Sequence, residues 1–151
     1  MLGKLTRWLR MLGHDVEYSR SLEDEELIER AKAEQRILLT RDRGLYQRAM
    51  TVGLAAFLVE GSTEAKRLAE LARRFNISLE LDVAVSRCPK CNSRIRTVSK
   101  EDVLNSIPAA TATYYDEFWR CPGCGQVYWQ GSHWKRIEET LKDAEESLQR
   151  L

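Results

Sequence analysis

The chain has 151 residues, 43% of them hydrophobic and 31% charged, which suits one globular domain plus a small appendage. Lysine and arginine number 24 against 23 acids, so overall charge does not advertise a nucleic-acid partner. No apolar run reaches the roughly 18 residues that span a bilayer, and Lys4, Arg7 and Arg10 interrupt any signal-peptide core, so a cytoplasmic location is the expectation.

In MLGKLTRWLRMLGHD, Leu2, Leu5, Trp8, Leu9 and Leu12 recur at helical spacing with Lys4, Arg7 and Arg10 on another face. Gly13 supplies the left-handed residue that commonly ends a helix. DVEY, residues 15 to 18, reads as a short strand. Ser21 then opens a helix through the capping-box form S-L-E-D, and Leu27, Ile28 and Ala31 follow at helical spacing. RILLT, residues 36 to 40, is an apolar run bounded by charges, the pattern of a strand buried on both faces of a parallel sheet. A brief helix over 44 to 50 and a second buried strand, LAAFLVE (54 to 60), come next. From Thr63 to Phe75 a helix carries Ala65, Leu68, Leu71, Ala72 and Phe75 on one stripe.

Alternating helices and strands of these lengths make the first 76 residues a small doubly wound α/β layer. In such a layer a strand normally precedes the first helix, whereas here the helical pattern is under way at residue 1. ISLELDVAVS, residues 77 to 86, alternates apolar with smaller or polar positions and reads as an edge strand or an extended connector. All four cysteines lie beyond it, which puts a domain boundary near Arg87.

Those cysteines read CPKCN and CPGCG, two C-x-x-C pairs at Cys88, Cys91, Cys121 and Cys124. Thiolates three positions apart on a tight turn can point at one tetrahedral zinc at about 2.3 Å. Pro89 and Pro122 stiffen the turns, and Gly125 and Asn92 let the backbone swing its amides toward the sulfurs. Disulfides are disfavoured without an export signal, and a redox pair would not need a second copy. The expectation is a structural zinc ribbon with four thiolate ligands and no open position, each knuckle leading into a hairpin (RIRTVS, then QVYWQ).

Ser99 and Asp102 suggest a further capped turn. Tyr114, Tyr115, Phe118, Trp119, Tyr128, Trp129 and Trp134 crowd the ribbon; exposed aromatics can stack on single-stranded bases, but a ribbon this small also needs them for its core. From Ser132 onward, Trp134, Ile137, Leu141, Ala144, Leu148 and Leu151 form an amphipathic stripe too short for a coiled coil, suited to docking on the chain itself or on a second copy. His133 reads as a structural or hydrogen-bonding residue, since four sulfurs already complete a zinc site.

Ligands of open parallel sheets bind beyond the carboxyl ends of the strands. Asp42 lies two residues past RILLT, Glu60 ends LAAFLVE, and Asp24 opens the helix after DVEY. Carboxylates gathered there would hold Mg²⁺ or Mn²⁺, although a helix-capping acid at Asp24 and a turn residue at Asp42 explain the same positions. Arg36, Arg41, Arg43 and Arg48 make the neighbourhood basic, compatible with a phosphate-bearing substrate or with ordinary surface salt pairs.

MLGKLTRWLRMLGHDVEY, DEELIERAKAEQRILLTRDRGL, RCPKCN and FWRCPGCGQVYWQGSHW together resemble the Mut-7 C-terminal RNase family, PIN-like domains followed by a zinc ribbon. The resemblance implies an α/β fold, a PIN-like three-layer parallel sheet with a C-terminal zinc ribbon and terminal helix. It divides the chain into a PIN-like RNase domain, 1–87, and a ribbon with amphipathic helix, 88–151. It also implies cleavage of RNA dependent on Mg²⁺ or Mn²⁺, with Asp24 and Asp42 as the catalytic acids and Zn²⁺ structural on Cys88, Cys91, Cys121 and Cys124. Arg41 and Arg43 would approach the phosphates, with surface pairing an equal reading. Family members carry a first strand, ending in aspartate, upstream of the MLGKLTRWLR segment; this chain starts after it, which reads as a record clipped at its start. The rival is a catalytically inactive adaptor that binds RNA or protein through the ribbon and residues 132–151, which also offer a surface for a homodimer or a partner helix.

Overall fold

In the computed structural model, which describes residues 2–151, the first apolar stripe forms helix α1 (Gly3–Met11), with Leu5 and Leu9 buried. The helix ends at Gly13, whose φ is +99°; a Cβ there would lie 3.0 Å from the Val85 carbonyl oxygen. Glycine is thus required both by the backbone angle and by the close approach of the connector.

DVEY does not form a strand. Side chains satisfy its backbone instead: Arg10 Nε donates to the Val16 carbonyl at 2.9 Å, and the Val16 amide donates to Asn92 Oδ1 at 3.1 Å. Helix α2 (Asp24–Ala33) begins two residues later than S-L-E-D suggests, with Glu23 in place of Ser21 at the cap position. The Ser21 hydroxyl is engaged with Ser19 instead of capping, and Asp24, Glu25 and Glu26 in the first turn complement the helix dipole.

Strands β1 (Leu38–Thr40) and β2 (Ala56–Leu58) pair in parallel, Leu38 opposite Ala56 and Thr40 opposite Leu58, with helix α3 (Arg43–Thr51) as the crossover. Both strands are shorter than their apolar runs because helix endings take the first residues of each. The Arg36 amide donates back to Ala31 after Gln35 at φ +54°, and the Leu54 amide donates back to Ala49 after Gly53 at φ +79°. Among the described residues the parallel sheet is this pair.

Helix α4 (Glu64–Phe75) is capped by Thr63 Oγ1, which accepts from the Lys66 amide at 3.2 Å, and it ends at Asn76 in the left-handed region. Residues 77–86 are connector, not strand: Leu79 enters the core, and the chain turns where the Val85 and Ser86 amides donate to the carbonyls of Asp82 and Val83.

The cysteine-rich part holds an antiparallel sheet of order β3 (Arg96–Val98), β4 (Phe118–Arg120), β5 (Val127–Tyr128). Between β3 and β4 come helix α5 (Lys100–Val103), a 3₁₀ turn (Leu104–Ser106) and helix α6 (Ala109–Tyr114). Val103, Phe118 and Val127 form a small core of their own, with Tyr115 and Trp129 packed against it, so part of the aromatic crowd fills this interior. Tyr114 is instead the most exposed of the large apolar side chains, at 79%.

Helix α7 (Trp134–Arg150) returns to lie along α4. Its Leu141 and Ala144 are buried in one core with Leu5 and Leu9 of α1 and Leu68 and Leu71 of α4. The amphipathic stripe therefore docks on the chain's own body. Among the described residues no helix is long and apolar enough to cross a membrane.

Candidate functional site

A groove of about 930 Å³ opens along β1, walled by α1, by the loop from His14 to Tyr18 and by the start of α2. Its placement follows from the parallel pairing. The Leu38 amide donates to Ala55 and the Thr40 carbonyl accepts from Val59, so Leu38 and Thr40 face β2. Peptide groups alternate along a strand, and those of Leu39 face the other way, into the groove. Leu2, Leu39 and Phe75 give it apolar walls, and Asp24 and Asp42 both line it, Asp42 two residues past the end of β1.

Each acid already holds a structural position. Asp42 is the N-cap of α3, its Oδ1 accepting from the amides of Gly44 (2.8 Å) and Leu45 (3.2 Å). The turn is tightened by the Asp42 amide, which donates to Thr40 Oγ1 at 3.0 Å. Asp24 heads α2 and pairs through Oδ2 with Arg48 of α3, both half exposed. These bonds leave Asp24 Oδ1 and Asp42 Oδ2 for a hard cation, whose preferred ligands are oxygens. Glu60 and Arg43 pair with each other at 3.4 Å outside the groove lining, and Arg41, within it, donates to the Gly61 carbonyl at 2.7 Å.

Two groove residues, His14 and Asp15, are not singled out by sequence pattern. His14 is half-buried there, and burial holds its imidazole below the usual value of 6.5. Asp15 is held below its usual range by the hydrogen bond from Asn92 and then by Arg36, whose Nη2 lies 3.2 Å from its Oδ2. A Gly-His-Asp turn just past a helix end was the available signal, but its partners are distant in sequence.

The four cysteines form the second candidate site. Their sulfurs all lie within 4.8 Å of one another, with Cys91–Cys121 at 3.2 Å and Cys88–Cys124 at 3.7 Å. Four sulfurs at about 2.3 Å from a tetrahedral zinc stand about 3.8 Å apart, so the donor set fits that ion in number, chemistry and spacing. No two are joined as a disulfide.

The knuckles share one backbone design. The amides of Cys88 and Cys121 donate to Ser93 and Gln126, while those of Asn92 and Gly125 donate back to Cys88 and Cys121, both at 2.8 Å. Asn92 and Gly125 have φ +74° and +79°, the positions singled out for turning. Burial pushes the Cys121 thiol up to about 12, and hydrogen bonds from Ser93 bring Cys91 down to about 6. The Tyr128 hydroxyl lies 2.9 Å from Cys88 Sγ, and its burial raises its own pKa, so it keeps a proton to donate to a thiolate. His133 stands at the start of α7, outside the cysteine group. Among the described residues those cysteines are the one gathering of three or more such side chains close enough to share a metal ion.

A family model described as Mut7-C RNAse domain matches residues 1–141 of the chain. Parallel comparisons with curated proteins and with solved structures found no match.

Proposed function

Since the chain belongs to the Mut7-C RNAse domain family, we propose that it hydrolyses RNA phosphodiester bonds with the help of Mg²⁺ or Mn²⁺ held by Asp24 and Asp42. In this reading residues 1–87 supply a PIN-like three-layer fold and the chemistry, and residues 88–151 hold the structural zinc on Cys88, Cys91, Cys121 and Cys124. The observation that carries it is that Asp24 and Asp42, from the starts of two different helices, both line the one groove beside β1.

A divalent cation there would supply charge neutralisation at the phosphate and activation of a water. The chain's own residues do the rest. The cap bonds from Gly44 and Leu45 fix the Asp42 carboxylate, whereas Arg48 pairs with Asp24 Oδ2 and competes with a cation for its charge. Arg41 and Arg20 line the same groove and approach a polyanion, and the apolar walls limit water around the reacting phosphate.

The test is cleavage of single-stranded RNA by the zinc-loaded chain, titrated with Mn²⁺ or Mg²⁺. Cleavage that rises with the added cation and falls in Asp24→Asn and Asp42→Asn supports the reading; unchanged cleavage in Asp42→Asn removes Asp42 from the site. RNA binding that survives both substitutions but fails on zinc chelation would instead favour an adaptor working through the ribbon. A homodimer through residues 132–151 would have to use the outer face of α7, because Leu141 and Ala144 are buried against the chain's own core.

A further inference from the structure

The wall of the groove from His14 to Tyr18 is not itself a strand, and two of its polar contacts run to the first cysteine knuckle. Asn92, next to Cys91, is 8% exposed. Its Nδ2 donates to Asp15 Oδ1 at 2.6 Å and its Oδ1 accepts from the Val16 amide at 3.1 Å. Arg10, equally buried in α1, closes the junction from the other side. It donates Nε to the Val16 carbonyl and Nη1 to the Pro89 carbonyl inside the same knuckle, both at 2.9 Å. Asp15 carries the contact onward through Arg36, which lies two residues before β1.

The two knuckles differ at one informative position. Each needs a residue of positive φ four places after its first cysteine, and glycine meets that need at the lowest steric cost. The second knuckle has Gly125 there, where a Cβ would meet nothing within 4 Å. The first has Asn92 at nearly the same φ, the same back-bond to its first cysteine, and a side chain that spans to the groove wall. Backbone geometry alone does not call for the asparagine amide; the bridge to Asp15 and Val16 gives it a use.

We infer that the first cysteine knuckle, when it holds zinc, clamps the groove wall, with Asn92 as the positioning residue that transmits metal occupancy to residues 14–18. This rests on the reading of the four cysteines as a zinc site and goes beyond it, because it makes the ribbon a determinant of groove shape. Without metal, four thiols in one small space no longer define the turn that aims Asn92. The wall then loses its two bonds to Asn92 while its contacts with Arg10, Arg30 and Arg36 persist.

Hydrogen exchange of the full-length chain, read at the Val16 amide, tests the coupling, with zinc content measured on the same samples. Asn92→Gly is the informative variant, because it preserves the positive-φ turn while removing the bridge. It is expected to keep one zinc per chain and native exchange in α4 and α7, while Val16 exchange rises about tenfold, the scale of one lost hydrogen bond. Stripping zinc from the unsubstituted chain should accelerate Val16 to a similar extent, and stripping it from Asn92→Gly should add little. Additive effects, or Val16 exchange indifferent to the substitution in a zinc-loaded chain, would overturn the clamp alone. A chain that takes up no zinc would overturn the metal reading and the clamp together, and metal analysis separates the two failures.

Discussion

Asp42 has two roles that a pair of substitutions separates. As N-cap of α3 its Oδ1 accepts from the amides of Gly44 and Leu45, so Asp42→Ala leaves two donors of the first turn without a partner. Loss of such a cap costs about 1 kcal/mol, which in a chain of 151 residues lowers Tm by roughly 2–4 °C. Asparagine places an oxygen at the same position and caps about as well, so Asp42→Asn is expected to change stability by less than about 0.5 kcal/mol. What it removes is a negative charge from the groove. If that charge holds a cation that stabilises the transition state by about 3 kcal/mol, cleavage falls roughly 10²-fold. Thermal denaturation, Mn²⁺ titration calorimetry and RNA cleavage on the three proteins form the assay. Asp42→Asn with native Tm and native cleavage would leave Asp42 as a cap only. Asp42→Asn as unstable as Asp42→Ala would refute the capping argument itself.

Arg48→Ala frees Asp24 from an ion pair whose partners are 52% and 44% exposed, so the pair contributes at most about 1 kcal/mol. Stability should hardly move, and Mn²⁺ affinity measured by calorimetry should tighten by up to about fivefold; weaker binding would mean that Arg48 supports the site. His14 has a folded pKa below its ordinary 6.5, so the unfolded chain takes up more protons as pH falls. Its contribution is full above pH 6.5 and is lost toward the lower folded value, and denaturant titrations at saturating zinc should show His14→Gln flattening that loss as pH falls below 6.5. Leu141→Ala, at a 7% exposed position in the shared core, should cost about 3 kcal/mol. Thermal melting should fall by roughly 6–12 °C with zinc content unchanged.

The parts legible in the sequence were those whose cause is local. Two C-x-x-C pairs with turning residues at Asn92 and Gly125 are short-range facts, and the four sulfurs do gather. The amphipathic stripes of α1, α4 and α7 are periodic, and each buries the middle of the face its spacing names, although Leu151 at the end of the last stripe is 56% exposed. Local propensity was misleading where a distant side chain competed for the backbone. Val16 reads as a strand residue, yet Arg10 and Asn92 satisfy its carbonyl and amide. The starts of the two strand runs were lost for a related reason, because Arg36 and Leu54 close the preceding helices. Sequence position placed Asp24 at a helix start and Asp42 just past a strand, but only the packing of α2 and α3 beside β1 puts them on one groove and leaves Glu60 outside it.

The electrostatics of that groove explain why overall composition was uninformative about a polyanionic substrate. Five carboxylates and four guanidiniums line it, so with His14 neutral it carries one net negative charge, unlike the positive footprint a nucleic acid normally meets. Several of those charges are already matched, Asp15 with Arg36, Glu34 with Arg30 and Asp24 with Arg48, which fixes their positions and mutes their fields. A single divalent cation on Asp24 and Asp42 would turn the balance to one positive charge at the point where a phosphate must approach. In the proposed reaction, recognition and catalysis would then share one requirement: the cation that activates water also makes the groove attractive to RNA. A large excess of basic residues elsewhere on the chain is not needed for that, and the sequence carries only 24 against 23 acids.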